Sequence, residues 1–201
     1  MLKKATAASA PWCLVALIRW LDSADQEGMP LVEVGARDEP AHVATSLLVL
    51  LAALGPRRMA RHRTAVATAC ASSVLIDVDH LPLYVDFPVN IRVDGGRPFT
   101  HSFSTAAALG LLAVGVRYRR RELAAASAGV LLHFVRDIAT GPGLPLWWPW
   151  EQRGRRVPYA YYSRLLVVLA AIGSVRMHRW AGRHQAAGQA TRSAKATTSS
   201  T

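Results

Sequence analysis

Apolar residues gather in six runs, roughly 11–21, 42–55, 64–79, 101–116, 123–137 and 164–176, with polar stretches between them. Each run is rich in Ala, Leu and Val and outlasts an ordinary strand, which predicts helix. Pro40, Pro56, Pro82, Pro98 and Pro142 fall between the runs, where a chain of helices places its turns. Short connections between such helices predict an all-α, up-and-down bundle of about five to six members. The closing stretch, "QAAGQATRSAKATTSST", is small and polar and is expected to be a disordered tail. The pattern therefore divides the chain into an N-terminal helix with an acidic linker (1–40), a helical bundle (41–176) and a basic tail (177–201).

None of the runs reaches the ~20 apolar residues of an uninterrupted membrane span. A 16-residue helix covers only about 24 Å, so spanning requires the polar helix ends to extend past the apolar stretches. Composition favours a membrane all the same: 51% of residues are hydrophobic and 18% charged, against about 25% charged in a soluble domain. The mean hydropathy of +0.17 suits a small membrane protein with polar loops. The opening stretch, with Lys3 and Lys4 ahead of an apolar run broken by Arg19, is expected to be an uncleaved, anchor-like helix.

Charge placement supplies a direction. The net charge of +11 is almost wholly arginine, since only Lys3, Lys4 and Lys195 are lysines. "PRRMARHR" joins the second and third runs and "RYRRRE" the fourth and fifth. If all six runs cross, these linkers share one side with both termini, and the positive-inside rule puts that side in the cytoplasm. Asp22, Asp25, Glu27, Glu33, Asp38 and Glu39 form an acidic linker on the other side, with the loops 80–100 and 138–163. Nucleic acid is not an expected partner, because the arginines are scattered over loops and no reader motif is present. Cys13 and Cys70 show neither metal-ligand nor disulfide spacing and read as buried small hydrophobes.

The candidate chemistry lies at the ends of the runs. His42 opens the second; Asp77, Asp79 and His80 close the third; His101 opens the fourth; His133 and Asp137 close the fifth. In an up-and-down bundle all seven gather at the end opposite the arginine linkers. His133 and Asp137 are four apart and Asp77 and His80 three apart, so each pair shares a helix face. Asp79 joins them only if the helix unwinds there. Imidazole with carboxylate suits zinc, with manganese or iron as alternatives, and the number of ligands allows one or two ions. Thr100 and Ser102 flank His101 as caps or ligand-orienting groups.

Taken together, "IDVDH", "RPFTHS" and "HFVRDIATGPGLPLWWP" resemble the YdjM-like family, described as LexA-binding, inner-membrane-associated, metal-dependent hydrolases. Members carry a histidine near the start of an apolar helix, then Asp-x-Asp-His, His-Arg-Gly-x-Thr-His-Ser and His-x-x-x-Asp motifs, then a Thr-x-x-Gly-x-x-x-x-x-Pro loop. The similarity runs from about His42 to Pro158 and carries over His42, Asp77, Asp79, His80, His101, His133 and Asp137. Gly96 stands where the family has the first histidine of its second motif, and Pro98 replaces the glycine. Arg97 keeps its place, either to contact an anionic substrate or to pair with a carboxylate.

The resemblance implies a protein of the cytoplasmic membrane, and the charge placement expects it to be multi-pass with its metal site on the extracytoplasmic side. Its expected function is hydrolysis of a phosphoester or phospholipid-like substrate through a metal-activated water. His42, Asp79, His80, His101, His133 and Asp137 are the expected ligands. Asp77 and Arg97 are the expected catalytic groups, though spacing alone leaves Asp77 open as ligand, orienting partner or base. Trp147, Trp148 and Trp150, with Tyr159, Tyr161 and Tyr162, are expected as an interfacial aromatic belt or a guide for lipid headgroups. Two other classes remain: a non-catalytic membrane metalloprotein, and a regulatory protein that meets a cytoplasmic partner through its arginine loops.

Overall fold

The computed structural model describes residues 2–23, 29–84 and 97–198, and within them the chain is all-helical apart from one short hairpin. The helices are α1 (Leu2–Asp22), α2 (Leu31–Arg61), α3 (Arg63–Leu75), the single turn α4 (Leu81–Tyr84), α5 (Phe103–Gly115), α6 (Arg120–Thr140) and α7 (Tyr159–Thr198). Between α6 and α7, Leu144–Pro145 pairs antiparallel with Gly154–Arg155. Gly96 and Asn90 lie outside the described residues, as do Asp25 and Glu27.

The long helices alternate in direction and form two groups. In the first, α1, α2 and α7 pack around Val15, Ile18, Ala44, Leu48, Leu166 and Ala170, all buried. In the second, α6 lies between α3 and α5 around Ala106, Val130, Phe134 and Leu144. Contacts of α2 with α3 and α6 join the groups. The acidic carboxyl end of α1, the start of α2 and the end of α6 meet at one end of the bundle, because Arg136 on α6 binds both Asp22 and Asp38.

Several boundaries differ from the apolar pattern, each for a physical reason. The second helix begins after Pro30, eleven residues before the second apolar run, so Glu33, Asp38 and Glu39 are helical. Pro40 lies inside it, and Pro56 follows Gly55, whose φ of 72° interrupts the helix. Proline is tolerated where the missing donor is absorbed by a break or a neighbour. The helical backbone of α7 also continues to Thr198, through the stretch expected as a tail. Its Ala, Gln, Arg and Lys content explains this, since small size and polarity do not oppose helix formation.

These longer helices supply the missing length. Glu33–Arg61, Arg117–Thr140 and Tyr159–Ala186 are long and apolar enough to cross a membrane. By contrast, α5 has 13 residues and rises only about 20 Å. Leu111, Leu112, Val114, Leu131, Val168, Ile172 and Val175 point outward, an apolar exterior that lipid would cover. The same inversion explains Cys13, which is exposed rather than buried, and Cys70, which is half-buried. On a lipid-facing helix, hydropathy does not separate core from surface.

Candidate metal centre

The centre is assembled from four backbone segments at the end where α1 and α2 meet. Asp38 and His42 project one turn apart from the first half of α2. At the end of α3 the α-helix tightens into a 3-10 helix over Ile76–His80. Three residues per turn stack Asp77 over His80 and swing Asp79 toward the same side. Where the sequence reading expects unwinding the helix tightens instead, and the tighter turn is what brings Asp79 to the centre. The turn before α5 delivers His101, with Pro98 and His101 both buried. His133, Arg136 and Asp137 come from the last two turns of α6, all buried.

All seven residues singled out from the sequence converge here. His133 Nε2 lies 2.8 Å from Asp137 Oδ2, and His101 Nε2 lies 3.2 Å from His133 Nε2 and 3.0 Å from Asp77 Oδ1. His101 Nδ1 meets Asp79 Oδ2 at 2.9 Å, an oxygen that also accepts the Thr100 hydroxyl. His80 Nδ1 is 3.0 Å from Asp79 Oδ1 and 3.3 Å from Asp77 Oδ1. His42 stacks on His133 with ring centroids 3.8 Å apart, and its Nε2 stands 3.4 Å from Asp137 Oδ1. His133 Nδ1 faces the Ser73 carbonyl at 2.8 Å. That acceptor places the ring proton on Nδ1 and leaves the Nε2 lone pair turned to the centre.

Ligand atoms form four overlapping groups, each with members within 4.8 Å of one another: Asp77, Asp79, His80, His101; His42, Asp77, His133; His101, His133, Asp137; and Asp38, His42, Asp137. One of these atoms, His42 Nδ1, is buried with no hydrogen-bond partner, and His80 Nδ1 and Asp79 Oδ1 have little but each other, at 3.0 Å. Buried polar atoms without partners are costly, and a mixed imidazole and carboxylate set with free atoms fits a divalent cation of the zinc, manganese or iron type. Electrostatics agree. Burial opposes both charges, yet the neighbouring His101 and His80 bring the Asp79 carboxyl down to about 2. Burial likewise opposes the His80 charge, while Asp77 and Asp79 push its imidazole up to about 9. The carboxylates thus require positive charge beside them.

Arg97 pairs with Asp137, Nη1 to Oδ2 at 2.5 Å, and its guanidinium packs over Gly141, where an added Cβ would force the guanidinium to shift. It also lines a cavity of about 790 Å³ that opens onto Asp77 and His80 and is bounded by Glu39, Arg136 and Arg156. Trp147 and Trp150 are exposed at this end, while Trp148 packs on Phe99 with centroids 4.6 Å apart. Tyr162, expected in the aromatic belt, is instead buried and bonds Thr45 at 2.6 Å. A tyrosine on the inner face of α7 finds a polar partner there.

Three contributors escaped the sequence reading. Asp38 lies 3.2 Å from His42 Nε2, Glu39 lines the cavity, and Arg136 ties Asp38 to Asp22. The signal was present for Asp38, because Asp38-x-x-x-His42 repeats in reverse the spacing of His133-x-x-x-Asp137.

No curated protein and no solved structure matches the chain. Residues 38–196 match the family described as YdjM inner membrane protein, from the first carboxylate of the centre into the last turns of α7, and the chain belongs to that family.

Proposed function

We propose that this inner membrane protein is a metal-dependent hydrolase of a phosphoester or phospholipid-like substrate. One observation carries the reading. Seven chemistry-bearing residues, the buried and unpartnered His42 Nδ1 among their atoms, converge beside a cavity that Asp77 and His80 line and whose wall carries Arg97 and Arg156. His42, Asp79, His80, His101, His133 and Asp137 would hold one or two divalent ions, zinc first among them. Such an ion supplies Lewis acidity, bringing the pKa of a water toward neutrality and polarising the electrophilic centre.

The remaining work falls to the protein. Asp77 borders the cavity, and in this reading it would serve as the proton acceptor. Arg97 presents positive charge to an anionic substrate while its partner Asp137 fixes its direction. Exposed Trp147 and Trp150 at the same end suit an interface where lipid headgroups approach. The arginine-rich linkers at the opposite end make this the extracytoplasmic face of a multi-pass protein.

The test is elemental mass spectrometry of detergent-purified protein, with wild type beside Asp79→Ala and His133→Ala. About one or two zinc, manganese or iron ions per chain are expected, falling sharply in both variants and unchanged in His62→Ala and His178→Ala. Hydrolysis of a phosphodiester such as bis(p-nitrophenyl) phosphate should fall roughly 100-fold in Asp79→Ala. A folded wild type that binds no metal would sink the proposal.

A further inference from the structure

A second charged cavity lies at the opposite end of the bundle, between α2 and α7. We infer that it is a binding site for the phosphate of an anionic glycerophospholipid. The inference rests on the membrane placement of α2 and α7 and is independent of the metal centre.

The cleft exists because α2 breaks. Gly55 adopts φ 72° and ψ 163°, and Pro56 has no N–H to continue the helix. The carbonyl of Ala53 turns toward α7, where Arg176 Nη1 donates to it at 3.1 Å. A Cβ at Gly55 would come within 3.3 Å of that guanidinium, so the break and the arginine fit each other. The opening, about 790 Å³, is lined by Arg57 and Arg58 from α2 and by Arg176, Arg179, Trp180 and Arg183 from α7. Residues at 176, 179, 180 and 183 recur at helical spacing, so one face of α7 supplies them.

The charge is one-sided. Among the described residues, five arginines line the cleft and no Asp or Glu does. Guanidinium groups gathered this way repel one another until an anion stands between them, and their forked geometry matches phosphate oxygens. Location selects the source of the phosphate. Both helices are long and apolar enough to span, and the cleft sits just inside their ends at Arg61 and Ala186. Headgroups stand at that depth, and basic pockets between spanning helices bind anionic headgroups. Trp180, half-buried beside the arginines, has the amphipathic ring favoured at that level. From Tyr162, level with the centre, to Arg176 is roughly 21 Å along α7, so the two sites do not share a ligand.

Native mass spectrometry of the full-length protein in detergent tests this, with dioleoylphosphatidylglycerol and dioleoylphosphatidylcholine as probes. Wild type should retain phosphatidylglycerol in preference to phosphatidylcholine. Arg179→Gln with Arg183→Gln, two exposed positions, should weaken that binding roughly tenfold or more. The pair Arg120→Gln with Arg121→Gln, at the same end but outside the cleft, should leave it unchanged. Thermal unfolding identifies any variant that fails to fold, and Arg57→Gln with Arg58→Gln on the other wall then takes its place with the same expected loss. Equal binding of both lipids, or equal loss in the Arg120 and Arg121 pair, would overturn the site. Displacement of the lipid by equimolar inorganic phosphate would assign the cleft to free phosphate and overturn the lipid.

Discussion

Arg136 is the residue on which the most charge depends. Its Nη1 lies 2.6 Å from Asp22 Oδ1 and its Nε 3.0 Å from Asp38 Oδ1, with the side chain 4% exposed. One guanidinium thus satisfies two carboxylates from α1 and α2, and through Asp38 it fixes the ring of His42. Replacing it by methionine fills the volume but takes the cation from both carboxylates, leaving Asp22 the Tyr159 hydroxyl and Asp38 the His42 ring. Breaking a buried ion pair in this way costs about 3 kcal/mol or more, somewhat less here because Asp38 is 29% exposed. Arg136→Met should lower the thermal midpoint in detergent and weaken metal affinity about tenfold, the usual scale for losing a ligand's orienting partner. Asp38→Asn, which keeps the shape and one acceptor, should weaken affinity with a smaller loss of stability. An unchanged midpoint in Arg136→Met would show that the triad contributes nothing. The residues that converge were legible because histidines and carboxylates at the ends of apolar runs stand out. Asp38 and Arg136 did not, since one sits among other acids and the other looks like any arginine near a helix end. Their role depends on which charges three separate helices bring together, and no local spacing encodes that.

At the scale of elements, α3 and α6 approach closely at Gly129. An added Cβ on Gly129 would run into the Ala69 carbonyl oxygen and come within 2.8 Å of Ser72. Small residues allow spanning helices to pack backbone to backbone, and here the contact carries chemistry. It brings the Ser73 carbonyl to 2.8 Å from His133 Nδ1, which sets that ring's tautomer. Gly129→Ala should push the helices apart, cost about 1–3 kcal/mol and reduce metal content. At Gly115 an added Cβ meets nothing within 4 Å, so Gly115→Ala should leave both quantities unchanged. Denaturation midpoints and metal analysis of the two variants separate the effects; equal behaviour would mean that the α3–α6 approach does not shape the centre. The existence of these helices was legible from apolar run length, but their ends were not. Hydropathy marks where a helix is apolar, whereas α2 and α7 continue through charged and small residues whose intrinsic preference is still helical. Prolines misled for a related reason: Pro40 and Pro56, expected between helices, lie inside α2, Pro56 directly after the break at Gly55.

The whole molecule is polar in a second sense, with two chemically opposite ends. Alternating helices carry the carboxylates and histidines to one end and the linkers at 56–63 and 117–121 to the other. One loop weakens the asymmetry, because Arg153, Arg155 and Arg156 lie at the carboxylate end. The structure reduces that objection: Arg155 Nη2 pairs with Glu151 at 2.5 Å, so part of this charge is compensated locally. The positive-inside rule then still favours a cytoplasmic arginine end. A cysteine placed at Gln152 should react with a membrane-impermeant maleimide in intact cells, and one at Ala60 only after the cells are permeabilised. The background should be Cys13→Ser with Cys70→Ser, because Cys13 is exposed. If Ala60 reacts from outside and Gln152 does not, the orientation is reversed while the geometry of the centre stands. The result also decides where each function can act. With Gln152 outside, a phosphoester substrate must reach the centre from the extracytoplasmic leaflet, whereas a cytoplasmic protein or an anionic lipid of the inner leaflet meets the arginine cleft. With the opposite result those access routes exchange, and the lipid of the arginine cleft must come from the outer leaflet.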